Sequence, residues 1–223
     1  MTWDCCALAG AFRRARLDLW NTQVVVPTAP ENEPITIEEA RWHLRIDTFG
    51  SPQTSDDDPW LQTIGIPAAR MWAEGYTGLS LAPQTIELVA RRFPRDYFEL
   101  PAGPVQYVES VMYLDTDGVD TSFTDYELNR YVNPARLAPA YGFAWPAARD
   151  VDNSVRVRYV TGYSPAGYSP AGFALTPRLR IGILLMLGHL FENREDANAV
   201  KIDQIPNGAR VFLDYDRVRL GFA

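Results

Sequence analysis

Hydrophobic positions along the chain switch period twice, from helical spacing to alternation and back. In residues 3–20, Leu8, Phe12, Leu17 and Trp20 oppose an Arg-rich side, the pattern of a short amphipathic helix. A Pro-rich link from Pro27 to Pro34 follows. Residues 1–30 therefore read as an N-terminal extension with Phe12, Arg13, Arg14, Arg16 and Trp20 as docking candidates, either on a partner or on its own subunit. Thr36 is the expected N-cap of the next helix and Glu39 completes a capping box. Ile37, Ala40 and Leu44 make its stripe, and the helix should end near Asp47. Another helix is expected to open at Asp57 and Asp58 with Pro59 at its first position. Its predicted apolar face is Leu61, Ile64, Ala68, Met71 and Trp72. Pro67, close to Gly65, has no N–H and should kink or split this helix.

From Pro83 the period becomes two, with Thr85, Glu87, Val89 and Arg91 alternating with Ile86, Leu88 and Ala90. Further strands are predicted at Tyr97–Leu100, Val105–Leu114, Tyr126–Tyr131 and Ser154–Val160, with a hairpin turn at Asp117-Gly118. Gly162-Tyr-Ser-Pro-Ala is then repeated at once from Gly167, which lengthens a loop. Helical spacing returns at Thr176, an N-cap followed by Pro177. Leu179 to Phe191 is apolar nearly all round and should be the central helix. Residues 194–206 are polar, and a final amphipathic helix over roughly 208–219 carries Val211, Phe212, Tyr215 and Val218. The predicted class is α+β: a helical bundle (residues 31–82 and 174–223) with a small antiparallel β unit inserted (83–173).

A length of 223 residues suits one substantial core, or a core plus an inserted unit. The formal charge of −7 argues against a protein that grips DNA phosphates, while an acidic wall still lets DNA slide past. Lys201 is the sole lysine among 21 basic residues, which fits either an Arg-rich interface or a GC-rich genome. Adjacent Cys5 and Cys6 offer no disulfide framework, and a reducing cytoplasm suits the composition. No signal peptide is expected at the start, because the arginines follow the apolar stretch. The longest apolar run, Ile181 to Phe191, has about half the residues a membrane span needs, so no membrane partner is expected.

Candidate chemistry is sparse. His189 and Glu192 sit at a spacing that could present two metal ligands, but a His-x-x-Glu-His motif would need His where Asn193 stands. A small metal-dependent hydrolase is thus an alternative with little behind it. Asp115, Asp117 and Asp120 lack the Gly and Glu positions of an EF-hand loop and read better as a turn. Asp56 to Asp58 suit a helix N-terminus. No phosphate-loop, dinucleotide, nucleophile-elbow or C-x-x-C motif is present, so no catalytic residue, metal or cofactor is assigned.

Several stretches carry a resemblance when taken together: Ile35-Thr-Ile-Glu-Glu-Ala-Arg-Trp-His-Leu-Arg-Ile-Asp47, Glu74-Gly-Tyr-Thr-Gly78, Pro139-Ala-Tyr-Gly-Phe-Ala-Trp-Pro146, Val155-Arg-Val-Arg-Tyr-Val-Thr-Gly-Tyr163 and Gly188-His-Leu-Phe-Glu-Asn-Arg-Glu195. In this order and spacing, over roughly residues 31–215, the chain resembles the head–tail connector (adaptor) family of long-tailed phages and gene transfer agents. Residues 1–30, the Gly-Tyr-Ser-Pro-Ala repeat and the Gly65/Pro67 break depart from that pattern. The resemblance implies a structural subunit of the virion, assembled in the host cytoplasm. It would form a ring with neighbouring adaptor subunits, expected to be dodecameric, beneath the portal protein. A stopper or tail-completion protein would join on the tail side, and DNA would cross the lumen without specific binding. A role as stopper or tail-completion protein is the nearest alternative. Portal docking would fall to Val211, Phe212, Leu213, Tyr215, Val218, Leu220 and Phe222, with Arg210, Arg217 and Arg219 pairing acidic portal residues. The same apolar face could instead fold back on its own subunit.

Overall fold

The computed structural model describes residues 22–25 (backbone only), 30, 32–50, 54–164, 173–193 and 207–218. Among these residues there are five helical segments, a π turn and eight strands in two antiparallel sheets, so the class is α+β as expected. Helix α1 (Ile37–Leu44) starts where the capping box predicts: Thr36 Oγ1 accepts the Glu39 N–H at 3.2 Å, and Glu39 Oε2 accepts the Thr36 N–H at 3.0 Å. Its exit at Arg45 is left-handed, and Trp42 is 87 % exposed.

The helix predicted to open at Asp57 and Asp58 is not regular. A short α2 (Asp58–Trp60) leads into a π turn (Leu61–Gly65) and then α3 (Ile66–Thr77). The Ile66 N–H reaches back five residues to Leu61 O. Widening one turn accommodates Pro67, which has no N–H to give and whose ring would crowd the preceding turn, and regular α-helix is split there into α2, the π turn and α3, as expected. The extra residue also rotates the face. Leu61, Ile66, Ala69 and Ala73 are buried, whereas Ile64 and Met71, expected inside, are exposed. The predicted stripe was out of phase by about one residue because it assumed an unbroken 3.6-residue period. Trp60 covers Gly65 so closely that a Cβ there would meet its ring at 2.5 Å.

The central helix α4 (Pro177–Glu192) is capped by Thr176 and packs against α1, the π turn, α3 and α5 (Asn207–Asp214). Leu179, Ile183 and Leu187 on α4 are buried in the helical core with Ile35, Leu61 and Leu81.

The β region forms two small antiparallel sheets. One sheet has the order β1-β2-β8-β4-β5: Thr22–Val25, Gln84–Ala90, Val155–Thr161, Val105–Leu114 and Asp120–Ser122. The other pairs β3 (Phe98–Leu100), β7 (Ala135–Pro139) and β6 (Tyr126–Asn129). Strands β1, β5 and β7 were not anticipated. β1 lies inside the segment read as an N-terminal extension and pairs along the edge of β2, with Thr22 opposite Ala90 and Val24 opposite Leu88. The β core is a separate cluster that includes Ile86, Leu88, Leu100, Leu137, Val157 and Tyr159. Two structural cores therefore share one chain.

Candidate functional site

Helix α5 and the residues after it as far as Val218 bring seven of the ten C-terminal docking candidates together and divide them. Ala209 and Leu213, one turn apart, are fully buried against the helical core. Leu213 lies so close to Gly182 of α4 that a Cβ on that glycine would meet Leu213 Cγ at 2.7 Å. Val218 continues the inward path: its N–H donates to Thr77 O at 2.8 Å, and its side chain packs over Gly78. Val211, Phe212 and Tyr215 lie exposed on the other side, at 58, 38 and 73 %. One side of the segment is thus folded back on the subunit's own helices, and the other is exposed. Leu220, Phe222 and Arg219 lie outside the described residues, as do Phe12, Arg13, Arg14, Arg16 and Trp20.

Around the exposed face runs a groove of about 720 Å³ lined by Tyr76, Arg210, Val211, Asp214, Tyr215 and Arg217. Arg217 sits 4.8 Å from the centre of the Tyr76 ring, and Tyr76 stacks on Trp72 at 5.6 Å. Arg178 of α4 sits 5.5 Å from the Tyr215 ring centre and pairs with Asp216 at 3.1 Å. Arg210 is half-buried, and its Nε has no hydrogen-bond partner among the described residues. Such a surface offers flat aromatic area and guanidinium donors, suited to a partner with carboxylates and apolar side chains.

The residues considered for metal chemistry take other roles. His189 lies half-buried with its Nδ1 3.4 Å from the Asn193 amide, while Glu192 is exposed. Asp115 Oδ1 accepts the N–H groups of Asp117 and Val119 at 2.9 Å each, closing the hairpin turn. Asp58 pairs with the Arg41 guanidinium, 2.8 Å from Nε to Oδ1. Among the described residues, no group of three His, Cys, Asp or Glu side chains is arranged to hold a metal ion.

A second surface, missed in the sequence, lies at the end of the β layer. Phe93 stacks on Trp145 at 4.8 Å, with Phe98, Tyr113 and Phe123 packed around them. Pro94, Pro139, Phe143 and Pro146 extend this cluster into a groove of about 480 Å³ rimmed by Arg92 and Arg95. The signal was the aromatic and proline density from Pro139 to Pro146, which carries no regular period.

A two-core α+β chain is a fold that can be compared as a whole. No protein-family model matches the chain, and no curated protein matches it by sequence. Solved structures do match. A chain in the virion of the native gene transfer agent (GTA) particle superposes with a TM-score of 0.68 at 24% identity, covering 88% of this chain and 96% of that one. A chain in the neck of the empty GTA particle, computed with C6 symmetry, gives 0.68 at 23% identity with the same coverage. One in the neck of the native particle, computed with C12 symmetry, gives 0.64 at 23% identity. At these identities the likeness is one of fold.

Proposed function

We propose that this chain is a structural head–tail connector subunit, an adaptor that forms a ring beneath a portal protein and links capsid to tail. The observation that carries the reading is the fold match over 96% of a gene transfer agent virion chain, with comparable matches in neck assemblies. The twelvefold symmetry applied to one of those necks supports a dodecameric ring of identical subunits in the virion, and assembly in the host cytoplasm is part of the same proposal. The work of such a subunit is mechanical. Each contact around a closed ring is effectively intramolecular once its neighbours are in place, so modest edges add up to a stable collar. No catalytic step is assigned to any residue, and no cofactor is required.

Val211, Phe212 and Tyr215, with Arg210 and Arg217 beside them, are the portal-docking face in this reading. Arg219, Leu220 and Phe222 extend it, and Leu213 and Val218 anchor it from beneath. The tail side would receive a stopper or completion protein. The net charge of −7 supports a lumen through which DNA passes without being held.

Imaging the protein mixed with the portal of its own particle tests this reading. A ring of subunits seated on portal is the expected result. Binding only to a preformed adaptor ring would overturn the adaptor role in favour of a stopper. A chain lacking residues 207–223 should still fold its β layer yet lose portal binding, and normal binding by that chain would move docking elsewhere.

A further inference from the structure

Phe93 and Trp145, which floor the groove at the end of the β layer, stack face to face at 4.8 Å and 13° from parallel. Phe98 and Phe123 pack against the indole at 5.7 and 5.4 Å, and its Nε1–H donates to Asp96 O at 3.3 Å. The rings are thus held by one another, and the indole's polar atom is satisfied within the chain. Phe143 stands 57 % exposed at the rim, and three prolines complete the walls. Arg92 and Arg95 border the opening, both exposed and with no ion pair or hydrogen bond among the described residues. No described residue lining the groove is acidic. On a chain with a formal charge of −7 this is a local reversal of sign, apolar at its floor and cationic at its edge.

We propose that this groove docks an extended, proline-containing acidic segment of a partner protein, its carboxylates paired with Arg92 and Arg95 and its prolines packed on Phe143 and Trp145. Charge complementarity selects the acidic partner, because each guanidinium offers forked donors that no described residue takes up. The lining selects how the segment is read. Proline has no N–H, so walls with three of them offer few ladder donors, and strand addition is disfavoured. Aromatic and proline surfaces instead suit a polyproline II segment, which has little conformational entropy left to lose. Nucleic acid also carries acceptors for arginine, but base stacking needs a free ring face. Phe93 and Trp145 each cover one face of the other, and the −7 charge opposes a polyanion. The groove is built on the β core and shares no residue with the α5 face, so this docking does not depend on the chain being a connector subunit.

Titrating the full-length protein with a labelled peptide of repeated Glu-Pro-Pro triplets tests the proposal. Saturable binding is expected, with shifts of the Trp145 indole and Phe143 ring resonances and weakening in about 1 M salt. Peptides of the same length built from Lys-Pro-Pro and from Glu-Gly-Gly separate the roles of charge and proline, and both should bind about tenfold more weakly or worse. Arg92→Ser combined with Arg95→Ser, at exposed sites without polar contacts of their own, should cost about tenfold in affinity. Phe143→Ala should lower the affinity as well. An absence of saturable binding by the Glu-Pro-Pro peptide overturns the proposal. So does binding unchanged in the folded arginine variant or in Phe143→Ala, or either control peptide binding as tightly as Glu-Pro-Pro. A thymidine oligonucleotide that moved the same resonances at lower concentration than the peptide would overturn it in favour of nucleic acid.

Discussion

In the helical layer charge is taken inside, whereas in the β layer it stays at the surface. Arg70, nearly buried, lies between Glu33 and Glu74 at 2.8 Å from each. Glu74 Oε1 also accepts the Leu81 N–H at 2.8 Å, so the pair ties α3 to the segment that enters β2. Burial pushes the Glu74 carboxyl above its usual range, against the pull of Arg70. In the β layer, by contrast, Arg91 with Asp150, Arg156 with Asp120 and Arg158 with Glu87 lie on exposed or half-exposed sites. The β interior is aliphatic and aromatic, closed by stacked rings. One core is thus specified by directional polar contacts at its edge, the other by shape and ring packing. The difference locates where single substitutions should be costly.

The largest effect is expected at Arg70. Arg70→Met leaves two carboxylates without their shared cation, one of them deeply buried, and should cost about 3–5 kcal/mol in urea unfolding. Arg70→Lys should recover only part of that loss, since an ammonium group does not reproduce the forked geometry. A loss under about 1 kcal/mol would put this pair with the surface ones and dissolve the contrast.

Next comes the close approach of α5 to α4. Gly182→Ala places a methyl 2.7 Å from Leu213 Cγ, and overpacking of this kind costs about 1–3 kcal/mol. Leu213→Ala in the same chain should relieve the clash, so the double variant should be more stable than the sum of the single losses allows. Strict additivity would mean the two helices can shift apart freely.

How far the sequence disclosed these features follows from how local each one is. The capping box at Thr36 and Glu39, the Thr176 cap and the alternation in β2 depend on near neighbours, and all are found. The π turn depends on Pro67, which was visible, but the way the helix absorbs it was not. The β-branched residues Thr22, Val24 and Val25 were a strand signal, obscured by the prolines that follow. On α5 the helix was legible and its buried face was not. Large apolar residues point outward there because Gly182 admits Leu213 and so fixes the rotation of the helix. The aromatic groove was the least legible, since it joins side chains from segments 50 residues apart, such as Phe93 and Phe143.

A smaller, pH-dependent effect is expected at Asp58. The hydrogen bond from Arg41 holds its carboxyl below the ordinary carboxylate range. A depressed folded value means the unfolded chain binds the proton more readily, so the contribution is fully present above about pH 4 and fades as pH falls through the folded value. Asp58→Asn should therefore flatten the fall in stability of the wild-type chain as pH drops below about 4. Urea midpoints measured at a series of acidic pH values check this. Parallel curves for the two proteins would show that Asp58 is not a source of the acid sensitivity.

The smallest effect should come from the β surface, and it is the sharpest test of the contrast. Arg156 points from β8 toward Asp120 of β5, on a face open to solvent. Two hydrated side chains gain little by meeting there, because the ordering of both offsets much of the attraction. Arg156→Ala should cost no more than about 1 kcal/mol, and its difference from the unmutated chain should shrink in about 1 M salt, where charges are screened within roughly 3 Å. The Arg70→Met loss should persist in that salt, since ions and water do not enter around a buried pair. If Arg156→Ala proved as costly as Arg70→Met, the sheet would depend on charge as the helices do. The aromatic packing around Phe93 and Trp145 would then be insufficient to hold the β5 edge in register.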